Sequence, residues 1–140
     1  GATNQLIADG GALADQNFLG FVTLDAEGGD WDGAYKADGK TYQDGATKTK
    51  LNALATFTAS ATTYKKLGFR YRANPKTVEW YVDGALAGGA TTARLTGTEC
   101  DADTFPDDVF MAPIIGNLAG DASPSAHVTN IDWWACAQYE

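Results

Sequence analysis

The sequence has few of the side chains that carry most protein chemistry. It holds one histidine, His127, and two cysteines, Cys100 and Cys136, among 140 residues. The histidine has no serine or cysteine near it in a nucleophile motif. The cysteines fit neither a zinc spacing nor a Cys-x-x-Cys redox motif. We expect two buried thiols, with a bridge between them as the alternative. Nucleophilic catalysis, a zinc site and thiol redox chemistry therefore find little support.

A paired-carboxylate motif is also missing. Of the four glutamates, none has a second carboxylate beside it on the same predicted strand face. Glycoside hydrolysis needs two carboxylates roughly 5–10 Å apart across the scissile bond. Residues distant in sequence can still supply such a pair, so the pattern disfavours a glycosidase without excluding it. We predict a protein that is not an enzyme.

Long apolar runs and proline are scarce as well. No run approaches the ~20 residues of a membrane span, and only four prolines accompany sixteen glycines. That balance is typical of a sheet protein with many tight turns. The hydrophobic fraction of 44% and the four tryptophans exclude a disordered chain. The formal net charge of -8 disfavours unspecific binding to nucleic acid or anionic lipid. We expect one domain over residues 1–140, with neither nucleic acid nor membrane as a partner.

Residues 66–84 (KLGFRYRANPKTVEWYVDG) give the clearest fold signal. Two runs of β-branched and aromatic residues flank residues 73–76, which have the turn chemistry of a short hairpin loop. Asp83-Gly84 is a second turn signal, so a third strand from Ala85 onward would complete an antiparallel meander.

The alternation in these strands predicts an apolar face and a polar face. The predicted core consists of Phe69, Tyr71, Val78, Trp80, Val82, Ile131 and Trp133. The opposite face holds Arg70, Arg72, Glu79 and Tyr81, where opposite charges on neighbouring strands attract each other.

Weaker strand signals flank this meander. Residues 18–24 (FLGFVTL) read as a buried strand, and residues 33–37 and 40–43 flank Asp38-Gly39 as a second hairpin. The other predicted strands are residues 51–58 (with a short helix as the alternative), residues 109–118 (broken by Pro113, hence an edge or bulged strand) and the closing residues 127–137. Residues 88–105 read as a long connection, and residues 1–17 as a loop or a short helical turn.

Basic residues concentrate in the central meander. Five of the ten lie within the twelve positions from Lys65 to Lys76. One interpretation is a docking face for an acidic partner surface or a sugar acid. The simpler alternative is a solvated face paired with Glu79 and Asp83. The candidate partner-binding residues are Arg70, Arg72, Tyr81 and Lys66.

Two acidic loops raise the question of calcium. One lies between Asp25 and Asp32, and it fails the EF-hand pattern at both anchoring carboxylates. The other, between Asp101 and Asp108, has no recognised ligand spacing. Calcium in either loop is a minority hypothesis, and we predict no metal and no other cofactor.

Tryptophans offer a possible sugar site. Trp31 or Trp134, if exposed, could stack on a sugar ring. The simpler interpretation is that the adjacent Trp133 and Trp134 face opposite ways on a strand and pack into two layers of a sandwich.

A family resemblance rests on these motifs. TVEWYVDGALAGG resembles the WYVDG strand and turn of concanavalin A-like jelly rolls, and HVTNIDWWACAQ is similar to the last strand of that sandwich. The order of FLGF, a tyrosine hairpin, YKKLGFRY, WYVDG, FPDDVFMAP and IDWWACAQ over residues 18–138 resembles jelly-roll proteins encoded among tailed-phage structural genes. Enzymes of this fold carry a Glu-x-Asp-x-Glu strand, which is missing here, so their activity does not transfer.

The resemblance implies an all-β antiparallel sandwich of jelly-roll type. It implies a non-enzymatic virion structural protein, capsid-decorating or fibre-associated, assembled in the host cytoplasm. Its partners would be other virion proteins, reached as a homo-oligomer or on the capsid. The alternative is a lectin-like domain that binds a glycan. Such jelly rolls begin with further strands ahead of FLGF, so we expect the chain to lack the N-terminal strands of a longer polypeptide.

Overall fold

The computed structural model describes residues 14–22, 31–43, 63–87, 94–107 and 130–137, together with 109, 112, 113 and 115. Their regular elements are β1 (Phe18–Val22), β2 (Asp32–Lys36), β3 (Leu67–Ala73), β4 (Lys76–Val82), β5 (Ala85–Leu86), β6 (Arg94–Leu95) and α1 (Gly97–Cys100). All strand pairs are antiparallel. The predicted all-β class is therefore confirmed. In this part of the chain, no helix is long and apolar enough to cross a membrane.

β3 and β4 form the central hairpin that the sequence predicts. Phe69 lies opposite Trp80, and Arg70 lies opposite Glu79. The peptide bond between Asn74 and Pro75 in the connecting turn is cis. The register places the predicted apolar residues on one face of the pair and the predicted polar residues on the other.

The turn after β4 is also confirmed. Asp83 and Gly84 both have positive φ, 53° and 82°, as a two-residue type I′ turn requires. Val82 then pairs with Ala85, so β5 returns along β4.

β6 gives β4 a further neighbour. Val78 pairs with Leu95, and Glu79 pairs with Arg94, which makes β4 the central strand of a four-stranded sheet. The interpretation of residues 88–105 as a connection was therefore wrong, because they contain β6 and α1. Each of these elements spans two to four residues, which is too short for hydrophobic periodicity to appear.

β1 and β2 form a second, two-stranded sheet. Leu19 lies opposite Tyr35. The strand predicted for residues 18–24 is confirmed over residues 18–22, and residues 23–24 lie outside the described residues. Tyr35 also exchanges two backbone hydrogen bonds of 3.0 Å with Gln43, across the turn at Asp38-Gly39. The predicted second hairpin is confirmed at this bridge.

The two sheets share one hydrophobic core. Its fully or nearly fully buried members are Tyr35, Val78, Trp80, Ala87, Leu95, Cys100 and Phe105, and Leu19, Phe21 and Val82 pack against them. The indole Nε1 of Trp80 donates a hydrogen bond of 3.1 Å to the carbonyl oxygen of Gly20 in β1. Trp80 therefore joins the sheets through both its ring and its polar atom.

Four of the seven predicted core residues are exposed. Phe69 and Tyr71 lie on the core side of β3, but in the described part of the chain β3 has a partner strand on one side only, and each ring keeps an exposed part. Tyr71 still packs on Phe105, with ring centroids 5.8 Å apart. Ile131 and Trp133 lie in the segment 130–137, which contains no strand and is exposed throughout. Their assignment to the core was wrong: an alternating segment forms a buried strand only when another strand pairs with it, and no strand of the described residues pairs with this segment.

The cysteine prediction holds for one residue. Cys100 is buried in the core at the end of α1, whereas Cys136 is exposed, and both thiols are free. Burial raises the pKa of the Cys100 thiol to about 11.

Several predictions fall beyond the described residues. The prediction for residues 51–58 lies outside them, as do residues 1–13 of the loop or short helical turn predicted for residues 1–17; the described residues 14–17 belong to no strand or helix. Of the predicted edge strand at 109–118, residues 109, 112, 113 and 115 are described, and they belong to no strand.

Candidate protein-binding face

The polar face of the four-stranded sheet carries most of the predicted partner-binding residues. Alternation places Arg70 and Arg72 of β3, Glu79 and Tyr81 of β4, and Arg94 of β6 on the side opposite Trp80. We call these five residues the arginine face.

Glu79 lies at the centre of the arginine face and is almost completely buried, with a side chain 4% exposed. Its Oε2 accepts hydrogen bonds from Arg70 Nε at 3.0 Å, from Arg70 Nη2, and from the Tyr81 hydroxyl at 2.9 Å. Its Oε1 accepts a hydrogen bond from Arg94 Nη2. Both carboxylate oxygens are therefore satisfied, which is what a buried charge requires.

These contacts fix the ionisation state of the cluster. Burial alone would raise the pKa of Glu79, but the hydrogen bonds from Arg70, Arg94 and Tyr81 outweigh it and lower the pKa to about 2. Burial, followed by the bond to Glu79, raises the pKa of Tyr81. At neutral pH the carboxylate is charged and the phenol is neutral. A general acid or base works best with a pKa near the working pH, so Glu79 is suited to holding side chains in place and not to proton transfer.

Arg70 is held from two directions. Besides Glu79, its Nη2 donates to the Tyr81 hydroxyl at 2.9 Å, and its guanidinium carbon lies 5.7 Å from the centroid of the Tyr81 ring. Even so, nearly half of the Arg70 side chain is exposed, and so is a similar part of Arg94. Arg70 is therefore held by Glu79 and Tyr81 and Arg94 by Glu79, and each guanidinium side chain stays partly exposed to solvent.

The remaining two predicted residues, Arg72 and Lys66, are not among the side chains bonded to Glu79. Arg72 is exposed beside it and forms no ion pair within the described residues. Lys66 is exposed ahead of β3, where its backbone exchanges hydrogen bonds with Asp83. Asp83 pairs with Lys65 at 2.7 Å, and Glu79 pairs with Arg70, so both acidic residues named in the simpler alternative are paired with basic residues of this stretch. The structure therefore brings together Arg70, Arg72 and Tyr81 and leaves Lys66 at the margin.

Arg94 is the member of the face that the sequence did not reveal. It reaches Glu79 only because β6 pairs with β4 across a connection of more than ten residues. The one local signal is the neighbouring pair Arg94-Leu95, which is polar on one side and buried on the other. Two residues do not establish an alternation.

The described carboxylates of the second acidic loop bind lysines. Asp101 and Asp107 lie 2.8 and 3.1 Å from the Lys76 Nζ, and Asp103 lies 2.7 Å from the Lys40 Nζ. These pairs connect the loop to the β3–β4 hairpin and to the β2 hairpin. No group of three or more metal-ligating side chains occurs in the described ranges. Asp25, Glu27 and Asp30 of the first loop lie outside them.

The two candidate sugar-stacking residues differ in exposure. Trp31, just ahead of β2, is half-buried, whereas the side chain of Trp134 is 63% exposed. Trp133 has the same exposure as Trp134, so these neighbours do not fill two layers of a core.

Comparison with known proteins supplies no relative from which a function could be transferred, since no protein-family model, curated protein or solved structure matches the chain. Fold alone does not determine function. We therefore infer function from the arginine face and from the exposed segment 130–137.

Proposed function

We propose that this chain is a non-enzymatic association module, and that its arginine face binds an acidic surface of another protein. The observation that supports this most directly is the buried Glu79, which accepts hydrogen bonds from Arg70 and Arg94 while both arginine side chains stay partly exposed. Ordering long side chains is a major cost of binding. Guanidinium groups that are already fixed avoid much of that cost.

The charge of the face supports the same proposal. Three guanidinium groups and one carboxylate leave two positive charges, 3 − 1 = 2, within a chain whose formal net charge is -8. Such a local reversal of sign directs an acidic partner to one place on the surface. Charge complementarity of this kind contributes mainly to specificity and to the rate of association.

We further propose that the two sheets are parts of one β-sandwich of jelly-roll type. The shared core of Tyr35 and Trp80 supports this, because face-to-face sheets bury the side chains between them. The resemblance to phage jelly-roll proteins suggests a virion as the location and other virion proteins as the partners.

Binding of the protein to virus particles tests this proposal. Purified particles in which mass spectrometry detects the chain would be titrated with labelled protein. Arg72→Ala should lower the affinity severalfold at low salt and less at high salt, because exposed charges are screened. Arg70 is left unchanged, because removing its guanidinium group would deprive the buried Glu79 carboxylate of two hydrogen bonds. Lys40→Ala removes the same charge from the β2 hairpin and should have no effect. Equal affinities of the two variants, or no detectable chain in any particle, would contradict the proposal.

A glycan-binding role is the second candidate, and the exposure of Trp134 favours it. An exposed indole offers a flat apolar surface on which a sugar ring can stack. Titration with oligosaccharides should then quench tryptophan fluorescence, and Trp134→Ala should abolish the change. Unchanged fluorescence with every oligosaccharide would count against this role.

A further inference from the structure

The segment 130–137 is exposed although it carries large apolar side chains. Trp133 and Trp134 are each 63% exposed, and Ile131 is exposed as well. Large exposed apolar groups in a cluster commonly mark an interaction site. In an extended conformation, Ile131 and Trp133 would lie on one side of the segment, and Asp132 and Trp134 on the other.

The outer edge of β3 is a suitable acceptor for such a segment. β3 pairs with β4 along one edge, and no strand of the described residues pairs with its other edge. On the core side of β3, Phe69 and Tyr71 are exposed. On the other side, the neighbouring positions are Arg70 and Arg72. An edge of this kind presents backbone N–H and C=O groups to an incoming strand.

The two surfaces are complementary in side-chain chemistry. A strand added to β3 can place Ile131 and Trp133 beside Phe69 and Tyr71, which covers apolar groups on both partners. The same alternation places Asp132 and Trp134 in the row of Arg70 and Arg72. There the carboxylate can pair with a guanidinium, and the indole can stack on one.

A register shifted by one residue would lose all of these contacts. It would place Asp132 against Phe69 and Tyr71, and it would place Trp133 in the arginine row. A one-residue slip exchanges the two faces of a strand. The apolar and charged contacts therefore favour the first register over the shifted one. The eight residues of the segment also match the seven-residue length of β3.

We propose that residues 130–137 of a second copy of this chain add as a strand to the outer edge of β3. Within one copy, the segment and the core side of this edge are both exposed. Reciprocal exchange between two copies would cover both segments and both edges in a closed two-fold dimer. This inference rests on the proposed association role and names the first partner as another copy of the chain.

A charge swap tests the inference on the full 140-residue chain. Sedimentation equilibrium should show a dimer of the unaltered protein. Asp132→Arg and Arg72→Asp, made separately, should each weaken dimerisation by about tenfold, since each places like charges in one row. Mixing the two variants should restore dimers of mixed composition, because each segment then meets an edge of opposite charge. The restoration also shows that both variants are folded.

A second variant tests the apolar side of the contact. Trp133→Ala should weaken dimerisation by about 30-fold, as expected for a central aromatic anchor. Lys40→Ala, which lies away from the edge, should leave it unchanged. Hydrogen exchange should show that the β3 amides are slower in the dimer than in the Trp133→Ala variant.

Three results would overturn the inference. One is an unaltered chain that stays monomeric at its highest soluble concentration. The others are a dimer insensitive to both charge reversals, and a monomer in which Trp133 is buried on the edge of its own chain. A monomer that still binds particles through Arg72 would refute the strand exchange and leave the proposed function standing. A dimer that binds no particle would refute the proposed function and leave the strand exchange standing.

Discussion

At the scale of single residues, Glu79 shows how a buried charge can organise a surface. Its carboxylate is removed from water, yet it accepts four hydrogen bonds from three side chains. The free energy of such a group depends on keeping all its partners, because an unpaired buried charge is costly. Glu79 therefore determines where Arg70 and Arg94 lie, and those two groups present the charge that the proposed partner would meet.

Glu79 should make stability depend on pH in a defined range. Its pKa of about 2 in the folded protein lies below its ordinary 4.5. The stabilisation is therefore complete above about pH 4.5 and is lost as the pH falls through about 2. A difference of this size corresponds to about 3 kcal/mol at neutral pH. Urea unfolding of Glu79→Gln should show a loss of that order at pH 7 and a weaker pH dependence below 4.5.

Asp103→Asn is the matched control for this measurement. Its hydrogen bond with Lys40 lowers the pKa of Asp103, but the carboxylate is exposed, so solvent screens the interaction. We expect little change in stability. Equal losses of unfolding free energy in Glu79→Gln and Asp103→Asn would contradict the description of Glu79 as a buried, paired carboxylate.

Trp80 should be the most sensitive single residue of the core. It is fully buried, and its Nε1 satisfies the Gly20 carbonyl oxygen. Trp80→Ala should lower the free energy of unfolding by about 3–5 kcal/mol. Trp80→Phe keeps a ring but leaves that carbonyl without its donor, which should cost about 1–3 kcal/mol. Trp133→Ala, measured where the chain is monomeric, should change stability by less than ~0.5 kcal/mol because Trp133 is exposed. Chemical denaturation followed by circular dichroism would measure all three.

At the scale of elements, local chemistry determined what could be predicted from the sequence. The β3–β4 hairpin, its register and the turn at Asp83-Gly84 follow from alternation and turn residues within nineteen positions of the chain. The pairing of Glu79 with Arg70 follows from the same register. All of this information lies in neighbouring residues, so it is readable without a structure.

The elements that escaped prediction depend on distant contacts. β6 is two residues long and is a strand only because β4 lies beside it, so Arg94 could not be assigned to the face. The segment 130–137 has the alternation of a strand but lacks a pairing partner in the described part of the chain. Phe69 and Tyr71 were placed on the correct side of the sheet, but their exposure depends on contacts with residues distant in the sequence.

The turn after β4 provides a test at this scale. Gly84 has φ of 82° with open space around the position of a Cβ atom, so a substitution there is opposed by the backbone and not by packing. Gly84→Ala should cost roughly 1–2 kcal/mol, the penalty of a left-handed conformation for an L-residue. Gly68 in β3 is the matched control, with the same open space and no positive φ. Gly68→Ala should be neutral or slightly stabilising. Similar losses for both variants in thermal unfolding would contradict the assigned turn.

At the scale of the whole molecule, two features connect distant parts of the chain. The core unites β1 and β2 with β4 and β6, through Tyr35, Trp80 and Leu95. Around it, Lys76 joins the β3–β4 hairpin to the loop after α1, and Lys40 joins that loop to the β2 hairpin. The apolar contacts carry most of the stability, because exposed ion pairs are weak.

This shared core predicts that the two sheets unfold together. Tyr35 is fully buried in β2 and packs on Phe105, with ring centroids 5.4 Å apart, within the cluster that also buries Trp80. Tyr35→Ala should therefore destabilise both sheets, by about 3–5 kcal/mol. In native-state hydrogen exchange, the amides of β3 and β4 should lose as much protection as those of β1 and β2. Tyr64 is an exposed aromatic residue ahead of β3. Tyr64→Ala should therefore leave the protection of the amides in both sheets unchanged. If Tyr35→Ala accelerated exchange in β1 and β2 alone, the sheets would be separate folding units and the proposal of a single sandwich would fail.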